Sequence, residues 1–277
     1  MIVVTGATGN VGRALVDRLL AAGRPIRALT RDPERASLPE EAEVVRFRPE
    51  DPAAQFAGAT SLFLYAQASS VPLLEAARAQ GVRHVVLLSS GIIHKGVDDT
   101  HPIHALHALH AAAERQIRDS GLAWTFLRPN AFAANALQWA PQIRTGNTVR
   151  GVFAGARFAP IHEGDIAAVA ERALLDDGHE AAVHHLTGPE AATNAEQVAA
   201  IGAAVGRELT FVEVDPREAG TELFPHVPPP MLERMLGSFA QTVGVPPEIT
   251  GTVEDLTGTP ARAFTQWARD HAADFTA

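Results

Sequence analysis

The sequence predicts an α/β chain built on a doubly wound parallel sheet, followed by a smaller α/β lobe. Three observations predict it. The chain opens with a β-branched run, Ile2-Val-Val-Thr5, which leads through a turn with glycines at 6, 9 and 12 into an amphipathic segment carrying Val11, Ala14, Leu15 and Leu19. Short apolar strands then alternate with helical patterns of roughly 10–15 residues. One of those strands, Val82 to Ser89, is nearly continuous in apolar character, as expected where helices cover both faces of a sheet.

The elements follow in order. Gly6 permits a tight turn, Gly9 lets backbone approach a pyrophosphate, and Gly12 lets the helix pack close to the strand. A diphosphate laid there meets free amide donors and the positive end of a helix dipole. The spacing is GxxGxxG rather than GxGxxG, so the strand before it and the helix after it carry the argument. A second strand, Pro25 to Thr30, ends at Arg31, about 20 residues past the glycines, where a ribose-reading group belongs. An acidic residue there would suit the 2′-hydroxyl of NAD, whereas the planar donors of Arg31 suit a 2′-phosphate. NADP(H) is therefore the expected cofactor. Asp32, followed by Pro33, is expected to cap a helix.

Val44 to Phe47 and Ser61 to Tyr65 make the third and fourth strands. Val71 to Ala79 makes a helix ended by Gly81, Val82 to Ser89 the fifth strand, and Ile103 to Ser120 a long helix ended by Gly121. Trp124 to Arg128 makes the sixth strand. Ligands of such sheets bind beyond the strands' carboxyl ends. That rule gathers residues 6–11, Arg31, 65–67, 89–92 and 129–132 into one cleft. Beyond Asn135 the pattern loosens. A helix is expected within Ile161 to Leu175, begun by Asp165, then a strand Val183 to Thr187 that rejoins the sheet. A capped helix Asn194 to Val205 and a strand Leu209 to Val214 follow. Pro225 to Pro230 reads as an irregular connector or lid, and Met231 to Val243 and Pro260 to Ala273 as helices. The expected division is a core over 1–130 and a substrate lobe over 131–277, with about 160–190 returning to the sheet.

Composition narrows the function classes. The 277 residues are 46% hydrophobic and 20% charged, ordinary for a globular protein, and the formal charge of −9 argues against a nucleic-acid surface. The basic cluster of Arg46 and Arg48 is too short to overturn that. With no cysteine, disulfides, thiolate metal sites and thiol catalysis are excluded. No signal peptide is read at the start, and no apolar run approaches the ~20 residues that cross a bilayer. A cytoplasmic protein acting on a small molecule is the expectation.

With Thr5-Gly-Ala-Thr8-Gly-Asn10-Val11-Gly12, Arg31, the strand ending Leu88-Ser-Ser-Gly91, and Ser120-Gly-Leu-Ala-Trp-Thr-Phe-Leu-Arg-Pro129 in view, the chain resembles the NmrA-like branch of the atypical short-chain dehydrogenase/reductases. Pro160-Ile161, Asp165-Ile-Ala167 and Leu186-Thr187-Gly188 extend the resemblance to about residue 215. It implies a Rossmann core with an NADP(H) site and a C-terminal substrate lobe. Some members reduce quinones or other small molecules, and others bind the cofactor as sensors without turnover. The resemblance places Gly6, Thr8, Gly9, Asn10, Val11 and Gly12 at the diphosphate and Arg31 at the 2′-phosphate. It also brings Tyr65, Ala66, Ser89, Pro129 and Asn130 to the cofactor, with Ser89 beside the nicotinamide.

One departure decides the chemistry. The superfamily's tyrosine and lysine, four apart on the long helix, fall here on Leu106 and His110, and the chain's single tyrosine is Tyr65, on another strand. Losing a general acid costs ~10²–10⁴ in rate for a simple ketone. A quinone is more forgiving, because hydride addition yields a delocalised phenolate. The reading is an NADPH-dependent reductase of a quinone-like or aromatic small molecule, within a specialised oxidative pathway. A non-catalytic NADP(H) sensor acting through a protein partner is the alternative, and an isomerase or cyclase on the same fold the third class.

His101, His104, His107 and His110 recur every third residue, but a period of three drifts around a helix, so they share no narrow face. They also lack the i, i+4 pair and flanking glutamate of a zincin, and no metal is expected. They are solvated or core histidines, or one or two take an acid–base or gating part, His110 first and His107 second. His94 and Lys95 could also reach the cleft. Ser89-Ser90-Gly91 lacks a nucleophile elbow and offers hydroxyls instead. Asn135 and Trp139 fall where the substrate cleft would begin. Phe224, Met231, Met235 and Phe239 read either as a pocket lining or as lobe core.

Overall fold

In the computed structural model, which describes residues 1–94, 104–224 and 227–276, seven parallel strands form the central sheet. The first half alternates as the pattern requires: β1 (Ile2–Thr5), α1 (Asn10–Ala21), β2 (Ile26–Thr30), β3 (Glu43–Arg46), β4 (Ser61–Tyr65), α2 (Val71–Ala79), β5 (His84–Leu88), α3 (His104–Asp119) and β6 (Ala123–Pro129). Each strand is a short β-branched or leucine-rich run, and β1 and β2 are buried throughout, with helices on both faces. Ser70 caps α2 by accepting the Leu73 amide at 3.4 Å.

The second half is more irregular. It comprises β7 (Ala131–Phe132), α4 (Ala140–Thr145), β8 (Thr148–Gly151), β9 (Arg157–Phe158), β10 (Pro160–Ile161), α5 (Glu163–Leu175), β11 (Ala182–Leu186), β12 (Ala192–Thr193), α6 (Asn194–Ala204), β13 (Thr210–Glu213), α7 (Gly220–Leu223), α8 (Pro229–Ala240), α9 (Thr252–Thr257) and α10 (Phe264–Asp270). The main sheet runs β11-β6-β5-β4-β1-β2-β3, and β11 does rejoin it, in register with β6 from Ala182 opposite Thr125 to Leu186 opposite Pro129. β13 pairs in parallel with β8, outside the main sheet.

Three apolar cores result. Val4, Leu15, Leu19, Ile166 and Val169 fill the space between the sheet and helices α1 and α5. Leu64, Leu73, Val85, Ile117 and Phe126 fill the opposite face under α2 and α3. Trp139, Val149, Ile201, Trp267 and Phe275 make a third cluster away from the sheet. Trp139, expected at the mouth of the substrate cleft, therefore lies in that third cluster, 6% exposed, while Asn135 is exposed. Among the described residues no helix is long and apolar enough to cross a membrane.

Several local expectations are corrected. Ile161 closes β10, and α5 starts at Glu163 with His162 as its cap, whose Nδ1 accepts the Gly164 amide at 2.9 Å. Asp165 lies in the first turn instead and takes the backbone amide and guanidinium of Arg262. Asp32 does precede a turn carrying Pro33, but that turn is a three-residue 3-10 segment and no cap bond forms. Pro229 and Pro230 are not irregular. They open α8, where the missing proline amides would have had no helical partner in any case. Residues 225 and 226 of the expected lid, with Lys95 and His101, lie outside the described residues, as do the side chains of His94 and His104.

A polar clamp fastens the C-terminus to α5. Glu163, 7% exposed, accepts from Trp267 Nε1 at 3.0 Å and His271 Nε2 at 2.5 Å. The His271 ring stacks on Trp267 with centroids 4.5 Å apart, and its Nδ1 lies 2.7 Å from Asp274. The bond to Glu163 raises the His271 pKa against the effect of burial. Burial alone would raise that of Glu163, but the imidazole bond and backbone donors lower it. Glu163 therefore adds stability above the ordinary carboxylate range and loses it as pH falls. His271 adds stability below the ordinary imidazole value and loses it as pH rises through its raised pKa. In thermal melts, the Tm advantage of the wild type over His271→Gln is expected to be largest near about pH 5–6 and to shrink by about pH 8–9. A constant gap across that range would refute the assignment.

Candidate functional site

The sheet order reverses between β1 and β4, and the crevice beyond their carboxyl ends is where a doubly wound sheet takes a ligand. Thr5 stitches that point. Its hydroxyl donates to the Phe63 carbonyl at 3.0 Å and accepts the Tyr65 amide at 3.1 Å. Gly6 follows in the left-handed region at φ +61°, which a side chain rarely adopts. A Cβ on Gly12 would lie 2.1 Å from the Gly6 carbonyl oxygen, so only glycine lets α1 come this close to the turn. The Gly9 amide donates to the same carbonyl at 2.9 Å and Gly9 heads α1 with no side-chain cap, so the amides of Asn10, Val11 and Gly12 have no side-chain acceptor. Val11 is buried, while Thr8 and Asn10 are exposed. Backbone approach, uncapped amides and a positive helix end fit a dinucleotide diphosphate.

Around this cradle stand the other expected residues. Tyr65 packs beside it: a Cβ on Gly6 would be 3.1 Å from the ring's Cδ1. Ala66 is buried at the start of the following turn. Arg31 is exposed just past β2, with no ion pair to any described residue, and Thr8 and Thr30 place their hydroxyls 3.4 Å apart nearby. Pro129 is buried. Asn130 is exposed, its amide bonded to the Leu186 carbonyl at 3.1 Å, and its Oδ1 covers Gly91, where a Cβ would lie only 1.9 Å away.

The third wall is α3, whose first turn lies at the cleft end because the helix runs against the strands. Leu106, expected at the tyrosine position, is 46% exposed. His107 is half-buried. His110 is 8% exposed, and its Nδ1 has no hydrogen-bond partner among the described residues, a rare state for a buried polar atom. Burial lowers its pKa, with Glu114 one turn away opposing weakly, so the imidazole is neutral at pH 7.

Sequence reasoning missed the residue that organises this wall. Glu114, 1% exposed, accepts the Ser89 hydroxyl at 2.7 Å and a bidentate pair from Arg128 at 2.9 and 2.6 Å. Arg118 adds a bond at 3.1 Å and lies over the rings of Trp124 and Phe126. Ser89 is 2% exposed with its proton given to Glu114, so it braces the wall rather than offering a donor to the cleft. The available signal was Glu114 on the apolar stripe of α3, one turn before Arg118.

Comparison with known proteins agrees with this geometry. Residues 6–177 match the NAD(P)H-binding family. A (4-alkanoyl-5-oxo-2,5-dihydrofuran-3-yl)methyl phosphate reductase of Streptomyces griseus is 39% identical over 99% of both chains. An NAD(P)H azoreductase of Xenophilus azovorans is 32% identical over the whole of both. In structure, an NADPH-dependent quinone oxidoreductase of Escherichia coli superposes with a TM-score of 0.79 over 98% of this chain and 99% of that one, at 24% identity.

Two substitutions test the site's framework. Gly12→Ala forces α1 off the turn and is expected to destabilise the fold by about 1–3 kcal/mol while weakening nucleotide binding. Glu114→Ala strands the Arg128 guanidinium in the interior and is expected to cost about 3–5 kcal/mol in urea unfolding. A loss below about 1 kcal/mol would show that the network carries little.

Proposed function

We propose that this chain, which belongs to the NAD(P)H-binding family and is an NAD(P)H oxidoreductase, is an NADPH-dependent reductase that delivers hydride to a conjugated, electron-poor small molecule, quinone-like or aromatic. The observation that carries it is the α3 wall: no tyrosine and no lysine, but a buried neutral His110 with an unpartnered Nδ1.

Bound NADPH supplies the hydride from its nicotinamide ring. The chain's own part is to hold and orient. The glycine cradle and uncapped α1 amides take the diphosphate, Arg31 takes the 2′-phosphate, and Pro129 and Asn130 back the nicotinamide. Ser89, fixed by Glu114, holds the end of β5. A neutral imidazole is a weak acid at pH 7, so His110 does not suit a strongly basic alkoxide. It suits a delocalised anion, to which Nδ1–H donates a hydrogen bond while the proton itself arrives from water. His107, nearer the solvent, is the alternative contact.

Two full-length relatives support this acceptor class. The Streptomyces reductase is named for a lactone whose ring double bond is conjugated with carbonyls, and the Xenophilus enzyme for an azo bond. A conjugated ring alkene and an azo bond are both π-bonds able to take up hydride. Both are named as reductases, so the sensor alternative is not carried further. The half-buried Met235 and Phe239, the latter edge-on to Phe158 at 6.2 Å, offer apolar surface in the substrate lobe over 131–277.

Purified protein is expected to oxidise NADPH with naphthoquinones, azo dyes or alkanoyl butenolides and to leave simple aliphatic ketones untouched. Ketone turnover matching that of quinones, or tight NADPH binding with no turnover across the panel, would overturn the reading. His110→Leu is expected to lower kcat about 10²-fold with NADPH affinity unchanged.

A further inference from the structure

Several arginines are ion-paired with a carboxylate: Arg18 with Glu171, Arg27 with Glu43, Arg118 and Arg128 with Glu114, Arg172 with Asp176, Arg217 with Asp215 and Arg262 with Asp165. The arginines at the carboxyl ends of β2 and β3 are not. Arg13, Arg31, Arg46 and Arg48 lie in that quarter, and none is ion-paired with a described residue. The four make an arginine-rich patch in a stretch that also carries Asp32, Glu34, Glu50 and Asp51, none of them ion-paired with these arginines among the described residues.

The patch is also ordered. Arg46 stands opposite Thr30 in the β2–β3 register, and its Nη1 donates to the Arg31 carbonyl at 2.6 Å. That bond brings the Arg46 guanidinium over the strand end from which the Arg31 side chain departs. It occupies one of five donors, and the others have no partner among the described residues. Arg13 on α1 donates to the Ser37 carbonyl, which holds the chain after Arg31 against the helix. A solvent-exposed arginine tethered to a carbonyl beside a second unpaired arginine is the arrangement a dianion would bridge.

We infer that Arg46 is a second contact for the cofactor's 2′-phosphate, closing with Arg31 on opposite sides of that group and setting the preference for NADPH over NADH. The inference rests on the NADPH reading above and deepens it. Arg31 is attached at the strand end, whereas Arg46 reaches in from the neighbouring strand. Its carbonyl tether pre-orients the planar fork, so lysine, a point charge without that fork, cannot reproduce the contact in full.

Calorimetric binding of 2′,5′-ADP and 5′-ADP to the intact protein tests this without turnover. Arg46→Leu is expected to weaken 2′,5′-ADP about tenfold or more while leaving 5′-ADP within about twofold, and Arg46→Lys to fall between the two. The unchanged 5′-ADP affinity reports that the variant is folded. If Arg31→Ala loses discrimination but Arg46→Leu keeps it, or if Arg46→Leu weakens both ligands equally, the second contact is overturned while the reading of Arg31 stands. If neither variant alters the preference between the two ligands, the 2′-phosphate reading itself falls.

Discussion

The contact between the Gly12 Cα and the Gly6 carbonyl is the constraint on which the site depends. It lets α1 start directly behind the turn, so that uncapped amides converge on one point beyond β1. Thr5 and Tyr65 fasten β4 to the same point through a hydroxyl and an amide. A helix starting even slightly farther out would open a gap that neither the sheet twist nor the loops could close. The diphosphate cradle, the strand-end arginines and the α3 wall are all positioned from this junction.

The α3 wall carries no strong acid. Where a tyrosine and a lysine would handle a basic alkoxide, an exposed Leu106 and a buried neutral His110 stand instead. The charge in this wall lies deeper, at Glu114, where it organises rather than reacts. A buried carboxylate with four hydrogen bonds has little freedom to move, and it ties the ends of β5 and β6 to one helix face. On the proposed function, the protein holds shape at the reacting position without supplying a strong acid, which suits an acceptor able to spread its own charge.

The sheet and cradle were legible in the sequence because their causes are local. Glycine needs at 6, 9 and 12, apolar strand runs and helix stops all act within a few residues. The helix from Asn194 was legible for the same reason, since Thr193 and Glu196 form a reciprocal cap three residues apart. What escaped depends on distant partners. Asp165 looks like a cap until Arg262 arrives from 97 residues away, and His162 takes the cap in its place. Glu114 is one acidic residue among many until Arg128 and Ser89 converge on it from two strands. The β8–β13 pair likewise joins segments 62 residues apart, which no periodicity announces.

Tyr65 has a use beyond its place in the wall. It is the chain's one phenol, and its ring touches the glycine where a nucleotide would arrive. Biosynthetic incorporation of fluorotyrosine would therefore put a single fluorine nucleus into the protein, already at the spot of interest. Its resonance would need no assignment, and its movement on titration would track occupancy of the crevice in a spectrum with one line.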